Sequence, residues 1–466
     1  MLNNNLMVPK PFSIATGVFH QPSDWSDARV AHFTRYVSSF IRDRLIIFLA
    51  QSAEDDAVAC LSAMSMIYAA SPLMLDVLVF PLDSTPTFCL DDATPLLPDK
   101  LGYIEDDLIP CQPETFTLTP VPHLLIAGTF DHLHSGHKLL LSAAAFSSTK
   151  KLTVALTEGE ALLGRKKFKA AMQTLQQRTH AVSVFLSSLV PDLEIVFTVT
   201  TDVVGPAAHL DADAIAVTAE TLTGADTVNQ ARSTTGHPPL KTVVLPILSP
   251  STEKVSSTHV RKFIAHQAGG EAVLDAARQK WFDAGGDEEW WSQICRRYAE
   301  PWRHYHTLRH VMEIIGNVPE DKELHLAAFF HDLVYVPSES DNEDKSVAEF
   351  KRFAVNLPLT VTDFVTECIT SSKSHLRQLN EVAPRVRVFL ELDLAIIAAS
   401  PDRYDEYAAQ IQREYSPTVY TAEAFKAGRA SFLVSLLSSL DELSVFTVEG
   451  MNIRAAENIR RELARY

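Results

Sequence analysis

Short apolar runs of strand length alternate with helix-length segments bearing one apolar face, and between residues 121 and 267 this alternation is regular. It predicts strands at 124–128, 152–156, 195–199, 214–218 and 242–248, with helices at 137–146, 170–189 and 257–266. Strands alternating with helices imply a Rossmann-like parallel sheet whose ligands sit at the strand C-terminal ends. Upstream, apolar runs at 45–49 and 77–80 flank a helical stretch near 57–69, again α/β but without a chemical motif. Pro- and Asp-rich sequence from 81 to 120 reads as an irregular connector. After Gly269-Gly270 the periodicity is helical throughout, with Trp281, Trp290, Trp291 and Trp302 near its start. The expectation is a multidomain chain: an N-terminal α/β region at 1–120 for packing or oligomerisation, an α/β domain at 121–270 and an all-α domain at 271–466.

A chain of 466 residues is longer than one core usually serves, which agrees with this division. With 41 basic and 58 acidic side chains the net charge is −17, so no nucleic acid or anionic membrane is expected as partner. Five cysteines, Cys60, Cys89, Cys111, Cys295 and Cys368, are widely spaced and form no Cys-x-x-Cys, which suits a reduced cytoplasmic setting. No apolar run has bilayer length, and the first residues lack the pattern of a secretory signal.

The most informative segment follows the first strand of the regular region: Ala127-Gly128-Thr129-Phe130-Asp131-His132-Leu133-His134-Ser135-Gly136-His137. It places His134 and His137 where a strand turns into a helix, and first-turn N–H groups with the helix dipole favour an anion there. The two histidines are expected to donate to nucleotide phosphates. Gly164-Arg165-Lys166-Lys167 follows the second strand, and Ala219-Glu220-Thr221 with Gly224, Asn229 and Arg232 follows the fourth. Val255-Ser256-Ser257-Thr258 with Arg261 opens the last helix. All lie at strand ends on one side of the expected sheet.

These segments together resemble the phosphopantetheine adenylyltransferases, in the form fused into eukaryotic CoA synthases. The resemblance implies transfer of AMP from ATP, with Mg2+, to 4′-phosphopantetheine, giving dephospho-CoA and pyrophosphate. It implies that Gly128, Thr129 and Phe130 shape the substrate site, that Thr129 and Lys166 orient the attacking phosphate, and that His137 with His134 stabilises the α-phosphate. Ser256, Ser257, Thr258 and Arg261 would hold the β and γ phosphates, with Lys167, Glu220, Thr221 and Arg232 as further nucleotide contacts. The sequence leaves Lys166 and Lys167 as alternatives for the lysine role, with Lys166 preferred. A different nucleotidyltransferase, such as a cytidylyltransferase, is the alternative. No Gly-x-x-x-x-Gly-Lys-Ser/Thr follows residue 270, so phosphorylation of dephospho-CoA is expected to fall to another protein.

In the helical region, His306 and His310 stand four apart on one helix face, followed by His331-Asp332, Glu343, His375 and Asp393. The ordered set His310, His331, Asp332, Asp393 reads as a metal site. Tyr-His-x-x-x-His at 305–310, Phe-His-Asp at 330–332, Asn-Glu-x-x-Ser at 342–346, Asp-Leu at 393–394, Arg-Glu-Tyr at 413–415 and Gly-Arg at 428–429 resemble a subgroup of the HD superfamily of metal-dependent phosphohydrolases. The resemblance implies that the four residues bind a divalent ion such as Mn, Fe, Zn, Ni or Co, and that water attacks a small phosphoester. It also implies that His306 protonates the leaving alkoxide and that Glu343 and His375 serve a second metal or the substrate. A non-catalytic, regulatory role of this region is the alternative.

Overall fold

The computed structural model describes residues 14–22, 25–38, 41–50, 53–71, 75–81, 94–96, 117–245, 256–318, 320–374, 379, 381–416, 419–442 and 445–466. The chain divides into two compact units, Met1–Arg261 and Lys262–Tyr466.

The first unit contains two sheets, both wholly parallel. One has the order β3-β2-β1-β4, from β1 (Ile14–His20), β2 (Ile41–Phe48), β3 (Asp76–Phe80) and β4 (Thr94–Pro95). The other has the order β7-β6-β5-β8-β9, from β5 (Val121–Gly128), β6 (Ser148–Thr157), β7 (Glu194–Thr200), β8 (Ala214–Val217) and β9 (Lys241–Val244). All four residues of β8 and five consecutive residues of β6 are buried, as strands covered on both faces require. Strand order reverses between β5 and β8, and the histidine loop leaves β5 at that switch point, where open α/β sheets bind ligands.

The expected strands and helices of the central segment all recur in the structure, with helix Ser135–Ser147 after β5 and helix Ser257–Gln267 at the end. Residues 246–248 of the last expected strand lie outside the described residues. Two departures stand out. The stretch expected to be an irregular connector supplies β4, and 170–189 splits into a turn and helix Leu175–Leu189, which Thr174 opens with a capping box to Gln177. The two sheets also share one apolar core, in which Phe48, Ile67 and Phe80 belong to the same cluster as Leu124, Leu139 and Phe185.

Among the described residues the second unit is built of helices, from Glu271–Asp283 to Met451–Leu463. Its four tryptophans are buried, Trp281 against Phe329, Phe330 and Phe353. No helix among the described residues is long and apolar enough to cross a membrane.

Candidate functional sites

The loop after β5 is held in an unfavourable backbone conformation. Phe130, His132 and Phe168 are the non-glycine residues with positive φ among the described ones, at 49°, 46° and 56°, the first two within this loop and Phe168 shortly before Ala171 and Gln173, which bond to it. Each such conformation costs about 1–3 kcal/mol and persists only where the surroundings enforce it. The enforcement is visible. Asp131 accepts from the Gln173 backbone N–H (3.0 Å), the His132 N–H donates to Gln173 Oε1 (2.7 Å), and His132 Nε2 lies 2.7 Å from the Ala171 carbonyl. The Phe130 ring folds back over Gly128, where a Cβ would come within 2.9 Å of it, so that position demands glycine.

Bent this way, the loop delivers His134 to the N-cap of helix Ser135–Ser147 and His137 to its first turn, their rings stacked 3.8 Å apart. Nδ1 of each ring is shut off from solvent and has no hydrogen-bond partner among the described residues. Burial is the main reason both rings stay neutral. It takes His134 down to about 3, with help from the Lys138 and His132 charges, and His137 well below its ordinary value, helped by His134, His132 and Lys166. Two buried nitrogens without a partner, on residues at a helix N-terminus, are the kind of feature that an anion site leaves unsatisfied. Beside them Thr157 Oγ1 donates to Thr129 Oγ1 (3.0 Å), leaving the Thr129 proton free to point elsewhere.

Of the two candidate lysines, both exposed, Lys166 is the one whose charge reaches His137. Ser256, Ser257 and Thr258 sit at the start of helix Ser257–Gln267, as expected. Glu220 is exposed, and Thr221 Oγ1 accepts from the Thr218 N–H (2.9 Å), closing the turn before helix Leu222–Thr234. The two arginines differ from expectation. Arg261 is 1% exposed and ion-pairs with the fully buried Asp131 while also donating to the Lys167 carbonyl (3.0 Å) and Thr258 Oγ1 (3.3 Å). It ties loop to helix and presents no free cation to a phosphate. Arg232 donates to the carbonyls of Pro238, Ala207 and Leu210 and is a buried strut. Arg178, which the sequence reading passed over, does the same for the site itself: it donates to the Thr129 and Thr157 carbonyls (both 2.9 Å) and pairs with Glu158.

In the second unit, three nitrogen and oxygen atoms converge. His310 Nε2, His331 Nε2 and a carboxylate oxygen of Asp393 lie within 4.8 Å of one another. Asp393 Oδ1 is 2.9 Å from His310 Nε2, and Asp332 Oδ2 is 2.9 Å from His331 Nε2, so all four expected residues meet. The far nitrogen of each imidazole is held, His310 Nδ1 by the Tyr305 hydroxyl (3.0 Å) and His331 Nδ1 by the Ala328 carbonyl (2.9 Å). That second contact fixes ring orientation and points both Nε2 atoms inward, as metal-ligating histidines require. Mixed imidazole and carboxylate donors suit a divalent transition metal.

His306, in the turn before helix Leu308–Ile315 and not on the helix itself as expected, lies with its ring 6.1 Å from that of His310 and lines a cavity of about 830 Å³ whose wall also includes Asp332, Asp393, Glu343, Lys373 and Arg429. Its Nδ1 is 2.6 Å from Glu414 Oε2, while the other oxygen of Glu414 accepts the backbone N–H groups of His304, Tyr305 and His306. The His306 charge and hydrogen bond first, and then these backbone donors, outweigh burial and lower the Glu414 pKa to about 2. Burial alone would lower the His306 pKa, but Glu414 and Asp332 together outweigh it and raise the ring above its ordinary value. Arg303, fully buried, donates to the carbonyls of His306 (3.0 Å) and Asp332 (2.7 Å) and so fixes the two segments against each other. Asn342 and Ser346 bond the backbone of Val336 and Val334, holding the loop after Asp332. His375 lies outside the described residues.

A family model described as cytidylyltransferase-like matches residues 125–263. The chain is similar to the phosphopantetheine adenylyltransferase of Saccharomyces cerevisiae, 36% identical over 149 residues, and to an uncharacterized protein of Schizosaccharomyces pombe, 35% identical over 153. Each match covers 31% of this chain and 48% of the relative, so the chain spans about half the length of these fungal proteins. With the phosphopantetheine adenylyltransferase of Methanopyrus kandleri it is 31% identical over 140 residues, 30% of this chain and 87% of that one. Through this segment the chain belongs to the cytidylyltransferase-like family, among the phosphopantetheine adenylyltransferases.

Proposed function

We propose that the first unit transfers AMP from the ATP–Mg2+ complex to 4′-phosphopantetheine. The observation that carries this reading is the stacked pair His134 and His137, whose Nδ1 atoms have no partner among the described residues, at the switch point of a parallel sheet in a segment similar to phosphopantetheine adenylyltransferases. A phosphate oxygen of phosphopantetheine forms a bond to the α-phosphorus as the bond from that phosphorus to the bridging oxygen breaks, and pyrophosphate leaves. The acceptor is itself the nucleophile, so the protein's work is alignment and charge stabilisation. Thr129 and Lys166 would orient the acceptor phosphate, His134 and His137 would donate to the transferring phosphoryl group, and Ser256 to Thr258 would meet the leaving pyrophosphate. The test is dephospho-CoA and pyrophosphate formation by the full chain from ATP, Mg2+ and 4′-phosphopantetheine, with CTP as the alternative nucleotide. His137→Ala should lower kcat by at least about 100-fold. No product from ATP, or product from CTP alone, would sink the assignment.

We further propose that the second unit is a metal-dependent phosphohydrolase of the HD type, a reading supported by the convergence of His310, His331, Asp332 and Asp393 beside a cavity. A divalent ion held there would supply Lewis-acid stabilisation of charge developing on a phosphoester. His306, oriented by its hydrogen bond to Glu414, would give a proton to the leaving oxygen. Hydrolysis of phosphoesters by the full chain with added Mn2+, and its loss in His306→Ala, checks this. Metal binding without hydrolysis across a broad phosphoester set would favour a regulatory role instead.

A further inference from the structure

Lys138 directly follows His137 in the first turn of helix Ser135–Ser147, where the helix dipole disfavours a cation and where the phosphate site proposed above lies. Its side chain does not serve that site. It is 3% exposed, and its Nζ donates to Asp76 Oδ1 (2.6 Å) and to the Val77 carbonyl (2.8 Å), both on β3 of the N-terminal sheet. Asp76 is oriented by a second cation, Arg44 of β2, at 2.7 Å. Helix Ala53–Ala70 packs against helix Ser135–Ser147, so β3 meets the catalytic helix across a continuous core.

We propose that Asp76 is a positioning residue of the transfer site: it is the counterion that folds Lys138 back into the core and keeps its ammonium out of the phosphate site. This rests on the adenylyltransferase reading and gives the N-terminal sheet a role in it. With the Lys138 ammonium tied to Asp76 and the Val77 carbonyl, His134 and His137 face the phosphate as donors, and the exposed positive charge comes from Lys166. Without Asp76, the nearest strong anion for the Lys138 ammonium is the incoming triphosphate, which it would hold out of line.

The experiment compares Asp76→Asn, Lys138→Met and the double variant, each shown to be folded by its melting curve. Asp76→Asn should lower kcat about tenfold without raising KM for ATP, as nonproductive binding does. Lys138→Met should stay within about threefold of the parent, and adding it to Asp76→Asn should restore that level. A purely structural role for Asp76 predicts no such recovery. A double variant no better than Asp76→Asn, or an Asp76→Asn enzyme with parental constants, overturns the proposal. Should the parent chain make no dephospho-CoA, the adenylyltransferase reading fails first. Equilibrium titration with ATP then decides this inference separately: Asp76→Asn must bind ATP more tightly than the parent and the double variant must not.

Discussion

His134 and His137 carry a cost that the role proposed for them would explain. Both take up protons in the unfolded chain near the ordinary histidine value of 6.5, and neither does so in the native state until far lower pH. The unfolded state therefore binds more protons below that value, so their contribution to stability is complete above pH 6.5 and falls as pH drops, by up to about 1.4 kcal/mol per pH unit for each ring. Replacing both with Gln should flatten the acid limb of chemical denaturation between about pH 6 and 4; an unchanged limb would show that the rings are not shielded as described. Asp131 presents the opposite case, a charge matched within the fold. Asp131→Ala leaves Arg261 buried without its partner and should cost about 3–5 kcal/mol, measurable in urea.

At the scale of elements, apolar runs and turn chemistry made much of the architecture legible. Buried parallel strands such as β6 and β8 are continuous apolar segments, and Gly-Thr-Phe-Asp with His-Ser-Gly-His marks a strand-to-helix turn without any structural knowledge. β1 escaped because Ile14–His20 is interrupted by Gly17 and bounded by no clear turn signal, and β4 because two residues carry no periodicity. The site residues divide by the same logic. Histidines at short spacing announce themselves, whereas Arg178, Asp76 and Arg303 act through contacts 20 or more positions away that no local pattern encodes. Arginine in particular was ambiguous: Arg232 and Arg261 have the residue type of a phosphate ligand and the environment of a strut. Glu414 is visible in the sequence only as the middle of a landmark on helix Pro401–Tyr415, yet it accepts three backbone N–H groups and orients His306. Glu414→Gln should keep the metal content of the chain and lower phosphoester hydrolysis about 100-fold, because the proton donor loses both its charge partner and its aim; equal loss of metal would make Glu414 a fold residue instead.

For the whole molecule, the two candidate sites lie in two separate units, and the chain's net charge of −17 would help neither of them to collect the phosphorylated substrates proposed for it. On the proposed functions each site would have to concentrate its own positive field, the first with Lys166 and a helix N-terminus, the second with the proposed divalent ion. This makes their sensitivities separable. Asp393→Ala removes one of three converging donors and should abolish binding of Mn2+ and phosphoester hydrolysis while leaving dephospho-CoA formation within about twofold, since Mg2+ reaches the first site with ATP rather than through resident ligands. His137→Ala should do the reverse, losing adenylyl transfer with the second unit's metal content intact. The pair of variants assayed side by side for both activities and for bound metal distinguishes two independent centres from one regulated enzyme. If the second unit were a sensor for the first, loss of its metal in Asp393→Ala would change kcat or KM for adenylyl transfer, and that coupling would have to appear reciprocally as a shift in Mn2+ affinity when ATP and 4′-phosphopantetheine are bound.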